Sequence, residues 1–188
     1  NNAMNLIKEA IDCNNADVHL LVGGTSTNKT FISHVLRPYE AVIACDSGHI
    51  NVHETGAIEA TGHKVLTVIA ENGKLTVDKL KDVVNNHKDE HMVKPKMVYI
   101  SNATEVGTVY YYDELKELYD YCQNNDLYLF IDGARLGVAL TSFLNDVKLS
   151  ELPKLCDAFY IGGTKNGAML GEALVIVNDN LKQDFRYS

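Results

Sequence analysis

Seven short apolar runs rich in β-branched and aromatic residues recur along the chain, at 18–22, 41–45, 64–68, 97–101, 127–131, 158–161 and 173–177. Most are separated by stretches whose apolar residues repeat at helical spacing, including 4–11, 28–36, 54–60, 77–85 and 113–122. Strand-length and helix-length patterns that alternate in this way specify an α/β fold. The strand runs are nearly continuously apolar, so both of their faces are buried. A largely parallel sheet with helices on both sides is the architecture that buries them.

Helix starts support the same parse. Thr76, followed by Asp78 and Lys79, and Asp113, followed by Glu114, read as N-caps with acid in the first turn, where the helix dipole favours it. The three prolines, Pro38, Pro95 and Pro153, read as falling between elements, and no repeat or linker divides the chain. At 188 residues with 46% hydrophobic content, one domain is expected, burying roughly 70% of the surface its unfolded chain exposes. Residues 181–187 read as the opening of a helix, so the chain reads as a fragment of something longer.

The 25 acidic residues outweigh 17 basic ones, for a formal charge of −8, and no basic run marks a face for nucleic acid. No apolar stretch approaches the roughly 18 residues of a membrane span, and the first residues lack the pattern of a signal peptide. Cys13, Cys45, Cys122 and Cys156 are scattered, with no C-x-x-C pair, which fits a reducing cytoplasm.

In an open α/β sheet, ligands bind beyond the carboxyl ends of the strands. After the first strand run stand Gly23, Gly24, Thr25 and Ser26 at a helix start, a place suited to a phosphate, although the spacing matches neither nucleotide fingerprint. A tight strand-to-helix turn explains the same residues. After the second run come His49 and His53, four apart. They lack H-E-x-x-H and a third ligand, so a metal is set aside in favour of an imidazole stacking on a planar ligand or capping a helix.

After the fifth run comes Asp132-Gly133-Ala134-Arg135. A carboxylate at the mouth of a buried strand needs a cationic partner, and Arg135 offers one internally as the alternative to a ligand. After the sixth come Gly162-Gly163-Thr164-Lys165, which read either as a lysine in the crevice or as a surface loop. Together a phosphate cradle, a stacking His49, an Asp132 and a Lys165 meet the needs of pyridoxal 5'-phosphate. That cofactor wants an anion site, a carboxylate on its pyridine nitrogen and a lysine for its Schiff base.

In Gly23-Gly24-Thr25, Gly48-His49-Ile50, Glu54-Thr55-Gly56-Ala57, Asp132-Gly133-Ala134-Arg135 and Thr164-Lys165-Asn166-Gly167, the sequence resembles the threonine aldolase and β-eliminating lyase family of fold-type-I pyridoxal-phosphate enzymes. The resemblance implies an aspartate-aminotransferase-like large domain over residues 1–188, a three-layer αβα with a seven-stranded mostly parallel sheet whose last strand runs antiparallel. The family's N-terminal arm and C-terminal small domain have no counterpart in these residues.

It further implies retro-aldol cleavage of L-threonine and L-allo-threonine to glycine and an aldehyde. Lys165 would hold the cofactor, with Gly24, Thr25, Asp132, His49 and Arg135 around it. Arg135 would also clamp the substrate carboxylate, and His53 would lie near its hydroxyl. A homodimer or homotetramer is implied. The bottom-up reading leaves open β-elimination or transamination on the same cofactor, and a non-catalytic scaffold domain.

Overall fold

A computed structural model describes residues 2–188. Its centre is a seven-stranded sheet in the order β1-β7-β6-β5-β4-β2-β3. The strands are β1 (Asp17–Leu21), β2 (Glu40–Cys45), β3 (Lys64–Val68), β4 (Lys94–Ser101), β5 (Tyr128–Asp132), β6 (Ala158–Gly162) and β7 (Glu172–Ile176). Pairings among β2 to β6 are parallel, and β7 lies antiparallel between β6 and β1. The seven runs and the reversed last strand are therefore as expected. The link from β6 to β7 is too short for the helical crossover that a parallel return requires.

Residue alternation divides the core into two layers. Val98, Ile100, Leu129, Ile131 and Phe159 pack with Leu80 of α4 (Val77–Asn86) and with Leu115 and Leu118 of α5 (Tyr112–Asn124). Their neighbours Met97, Tyr99, Phe130, Ala158 and Tyr160 face the other way, onto Phe31 and Ile32 of α2 (Gly24–Val35). Side chains on successive strand positions leave opposite faces, so Tyr99, Asp132 and Tyr160 share the α2 side. No helix among the described residues is long and apolar enough to cross a membrane.

Several local expectations are corrected. The helix expected over 54–60 does not form. In its place the four-residue α3 (His49–Val52) starts earlier, and after it the chain turns through positive φ at Thr55 and Gly56 to a 3-10 turn at Glu59–Thr61. The second helix begins at Gly24, ahead of residue 28. Thr76 is an N-cap without a capping bond from its side chain, and the cap of α5 is Tyr111, whose N–H bonds Glu114, leaving Asp113 in the first turn.

Pro95 lies inside β4, where it faces Ala41 at a register shift, a bulge that tolerates a residue without an N–H. Pro153 lies within the 3-10 segment Leu149–Lys154. Residues 181–187 form part of two separate 3-10 turns, Asp179–Leu181 and Phe185–Tyr187, rather than the start of one helix. The short α6 (Leu136–Thr141) directly follows the Asp132 loop.

Candidate active site

The carboxyl ends of β4, β5 and β6 and the start of α2 converge on Asp132, which is buried. Its Oδ1 accepts from the Tyr160 hydroxyl at 2.5 Å and the Ala134 N–H at 2.9 Å. Its Oδ2 accepts from the Tyr99 hydroxyl and, at 3.0 Å, from Asn28 Nδ2. Strand register explains the meeting, because Ser101 pairs with Asp132 and Ile131 with Phe159, which brings the three strand ends level. Burial and the nearby Asp132 charge push both phenols well above their ordinary range, which keeps them as donors.

The alternative in which Arg135 supplies Asp132 with an internal cation is therefore not the one that forms. Arg135 is half-buried at the start of α6 and makes no ion pair among the described residues, and all four donors to Asp132 are neutral. Its oxygens are satisfied without any positive charge being supplied.

Tyr160 also dictates two glycines. A Cβ on Gly133 would stand 1.7 Å from the Tyr160 carbonyl oxygen, and one on Gly24 would stand 2.9 Å from its hydroxyl. The turn before α2 thus packs directly on the residue that holds Asp132. No side chain caps that helix, so the N–H groups of its first turn remain available to an external anion. Thr25 is exposed at this turn.

His49 opens α3 and is half-buried. Its Nδ1 lies 2.9 Å from Oε1 of the buried Glu54, so the ring donates from Nδ1 and leaves Nε2 free. That bond raises the imidazole above its usual value against the opposing effects of burial and of the Lys165 charge. The His53 ring stands 5.6 Å from His49 and is exposed. Lys165 is exposed on the loop between β6 and β7. That loop is tied back to the site by Asn166 Nδ2, which donates to the Gly162 carbonyl at 2.6 Å. The structure thus gathers Gly24, His49, Asp132 and Arg135 at one end of the sheet, with Thr25, His53 and Lys165 at its rim.

Sequence reasoning missed Asn28, Tyr99 and Tyr160 as parts of this site. A signal was present for the tyrosines: each lies at the parity of Asp132 in an adjacent strand run. Asn28 gave only a polar residue on the buried face of a helix.

A family model for beta-eliminating lyases matches residues 3–187. The chain belongs to the beta-eliminating lyase family. Among curated members, it is 38% identical over 179 residues to a low specificity L-threonine aldolase of Pseudomonas sp., covering 94% of this chain and 51% of that protein. The enzyme of the same name from Escherichia coli K12 is 27% identical over 175 residues, covering 92% and 51%. A solved structure of Leishmania major threonine aldolase superposes with a TM-score of 0.97 at 53% identity, covering 98% of this chain and 54% of that one. The chain spans about half the length of the curated relatives it matches.

Beta-eliminating lyases of this kind depend on pyridoxal phosphate. The residues present fit that group: an uncapped helix start offers N–H donors to a phosphate, and a buried carboxylate surrounded by neutral donors lacks only the positive charge that a protonated ring nitrogen brings.

Proposed function

We propose that residues 1–188 are the cofactor-binding large domain of a pyridoxal-phosphate lyase that cleaves L-threonine, L-allo-threonine and related β-hydroxy-α-amino acids to glycine and an aldehyde. The observation that carries the reading is Asp132, buried at a strand end, cation-free, and joined through Asn28 and Glu54 to His49. The relatives named L-threonine aldolase support the choice of reaction.

Gly24 and Thr25 would hold the cofactor phosphate at the start of α2. Asp132 would keep the ring nitrogen protonated, His49 would lie on the ring face, and Lys165 Nζ would hold the aldehyde carbon covalently. When bound, the cofactor supplies the sink for the electron pair released at the substrate Cα. Arg135, with no acid of its own, is available to the substrate carboxylate through the planar fork that suits a bidentate pair.

His49 Nδ1 is engaged by Glu54, so its proton exchange with substrate runs through Nε2. There it takes the proton of the β-hydroxyl. As the O–H proton moves to Nε2, the hydroxyl oxygen forms a carbonyl and the Cα–Cβ pair passes to Cα, freeing the aldehyde. His53, whose ring lies 5.6 Å from that of His49, would flank the hydroxyl-bearing carbon.

Apolar side chains also stand exposed in the loops that follow β1, β4, α6 and β6. Val22, Val106, Phe143, Met169 and Leu170 are all exposed there, Phe143 to 95% and Met169 to 97%. Exposed apolar groups of this kind support pairing of subunits, as a homodimer or homotetramer. The cysteines, all free thiols, agree with a cytoplasmic enzyme.

The test is product analysis of the full-length protein with L-threonine and L-allo-threonine. Stoichiometric glycine and acetaldehyde are expected. Ammonia with a keto acid, or amino-group transfer to an added keto acid, would overturn the aldol assignment.

A further inference from the structure

The roles above give no task to the amide that touches Asp132. Asn28, fully buried at the start of the second turn of α2, stands between two carboxylates. Its Nδ2 donates to Glu54 Oε1 at 2.7 Å and to Asp132 Oδ2 at 3.0 Å. Two carboxylate acceptors on one side determine the orientation of the amide, since the flipped form would press its carbonyl against both. The orientation leaves Oδ1 buried with no hydrogen-bond partner. An unpaired buried carbonyl is destabilising, and an apolar residue of the same shape would avoid it. What the position gains from asparagine is therefore the NH2 group and its two donors.

Glu54 is shared in a similar way. Its side chain is fully buried, Oε1 accepts from both Asn28 Nδ2 and His49 Nδ1, and Oε2 has no partner. A continuous path of hydrogen bonds thus runs from Asp132 on β5, through Asn28 on α2, to Glu54 beyond α3, and on to His49.

We propose that Asn28 is a positioning residue that couples the two acids, so that a change of charge at Asp132 is passed to His49 through one shared NH2. The inference rests on the functional reading only in naming what changes Asp132, the protonated ring nitrogen of the cofactor. When Asp132 shares its charge with a cation, Oδ2 accepts less strongly from Asn28. The amide then donates more strongly to Glu54 Oε1, which holds the His49 Nδ1–H less tightly. Loading the ring site thereby weakens the support that Glu54 gives the Nδ1–H and lowers the imidazole from its raised value, which favours the neutral ring with Nε2 open to a proton. The charged groups acting on His49 are Glu54, Asp132 and Lys165.

The experiment uses the full-length protein labelled with 15N-histidine, observed at one pH without cofactor. The His49 ring signals are identified by their loss in His49→Gln. Asp132→Asn removes the charge at the far end of the path, and the His49 Nδ1 resonance is expected to move in the direction that cofactor loading moves it in the wild type. Combining Asp132→Asn with Asn28→Leu is expected to abolish more than half of that displacement. A direct field from Asp132 acts through space and survives the loss of the amide, so an undiminished response overturns the proposal. Should Asn28→Leu fail to fold, Asn28→Ser, which can donate to one acid only, carries the same comparison with the same two outcomes. Failure of the wild type to bind pyridoxal phosphate would sink the functional reading, while the coupling measured in the cofactor-free protein is decided separately.

Discussion

Two aspartates are buried at opposite ends of the same sheet, and they are satisfied in different ways. Asp157, just before β6, accepts from the Leu129 N–H at 2.7 Å and from the Asn178 amide at 2.7 Å, and its own carbonyl receives the N–H groups of Val177 and Asn178. Burial pushes its carboxyl up. Each partner is backbone or amide, and together they tie the start of β6 to the end of β7 and to β5. Asp132 is held mainly by rotatable side-chain donors, two phenols and an amide, and the amide leads on to a second acid and an imidazole. The difference separates an acid that fastens loops from an acid whose partners can re-aim when a cation arrives.

The largest expected effect breaks the chemistry at the working end outright. Lys165→Ala in the full-length protein is expected to abolish borohydride trapping of the cofactor and to lower turnover by several orders of magnitude, because the nucleophilic amine is gone. Covalent trapping that persists would place the attachment on another lysine.

Next comes the direct contrast between the two acids. Asp132→Asn is expected to keep the fold and much of the cofactor affinity while lowering kcat by about a hundredfold or more, since an amide cannot stabilise a ring cation. Near wild-type turnover would show that Asp132 is only a packing group. Asp157→Asn is expected to do the reverse: a loss of about 1 to 3 kcal/mol in urea unfolding with kcat unchanged, because a carboxylate that receives a backbone N–H becomes a mismatched amide.

The smallest effect sharpens the comparison through pH. Glu54 raises His49, so the base at Nε2 is lost as pH falls through a value above 6.5, and the acidic limb of kcat lies there. Glu54→Gln is expected to move that limb to lower pH, read from a pH–rate profile. The sign for stability is opposite in pH. A raised imidazole stabilises the fold fully below 6.5 and loses that contribution as pH rises through its folded value. The gap in Tm between wild type and Glu54→Gln is therefore expected to be wider at pH 6 than at pH 9. An equal gap at both would show that the pair acts through packing alone.

Much of the frame was legible from the sequence because the strand runs are short, apolar on both faces and separated by helical spacing. Lys64–Val68 has the bounds expected for it. The residues at strand ends, His49 and Asp132 foremost, could be picked out because topology alone says where an open sheet binds ligands. What escaped was everything set by register between strands. Arg135 follows Asp132 so closely that an internal ion pair stood as an alternative, yet the carboxylate found its donors on β4, β6 and α2. The 54–60 segment shows the same limit on a local scale. Its helical spacing was real, but Thr55 and Gly56 adopt positive φ, and the segment turns so that Glu54 faces His49.

The place of β1 has a consequence in time. Among the described residues its one sheet neighbour is β7, with Asp17 opposite Ile176 and Leu21 opposite Glu172, so the earliest of these seven strands pairs only with the latest of them. Until β7 emerges, the glycine turn that follows β1 has no sheet to hang from, and the middle of the sheet can assemble without it. Long-range pairing of this kind is slow to close, which makes the anion cradle the last part of the site to be completed. The strand half of the Asp132 pocket, Tyr99 and Tyr160, therefore stands before the α2 half, with its glycine turn and Asn28, is fixed in place.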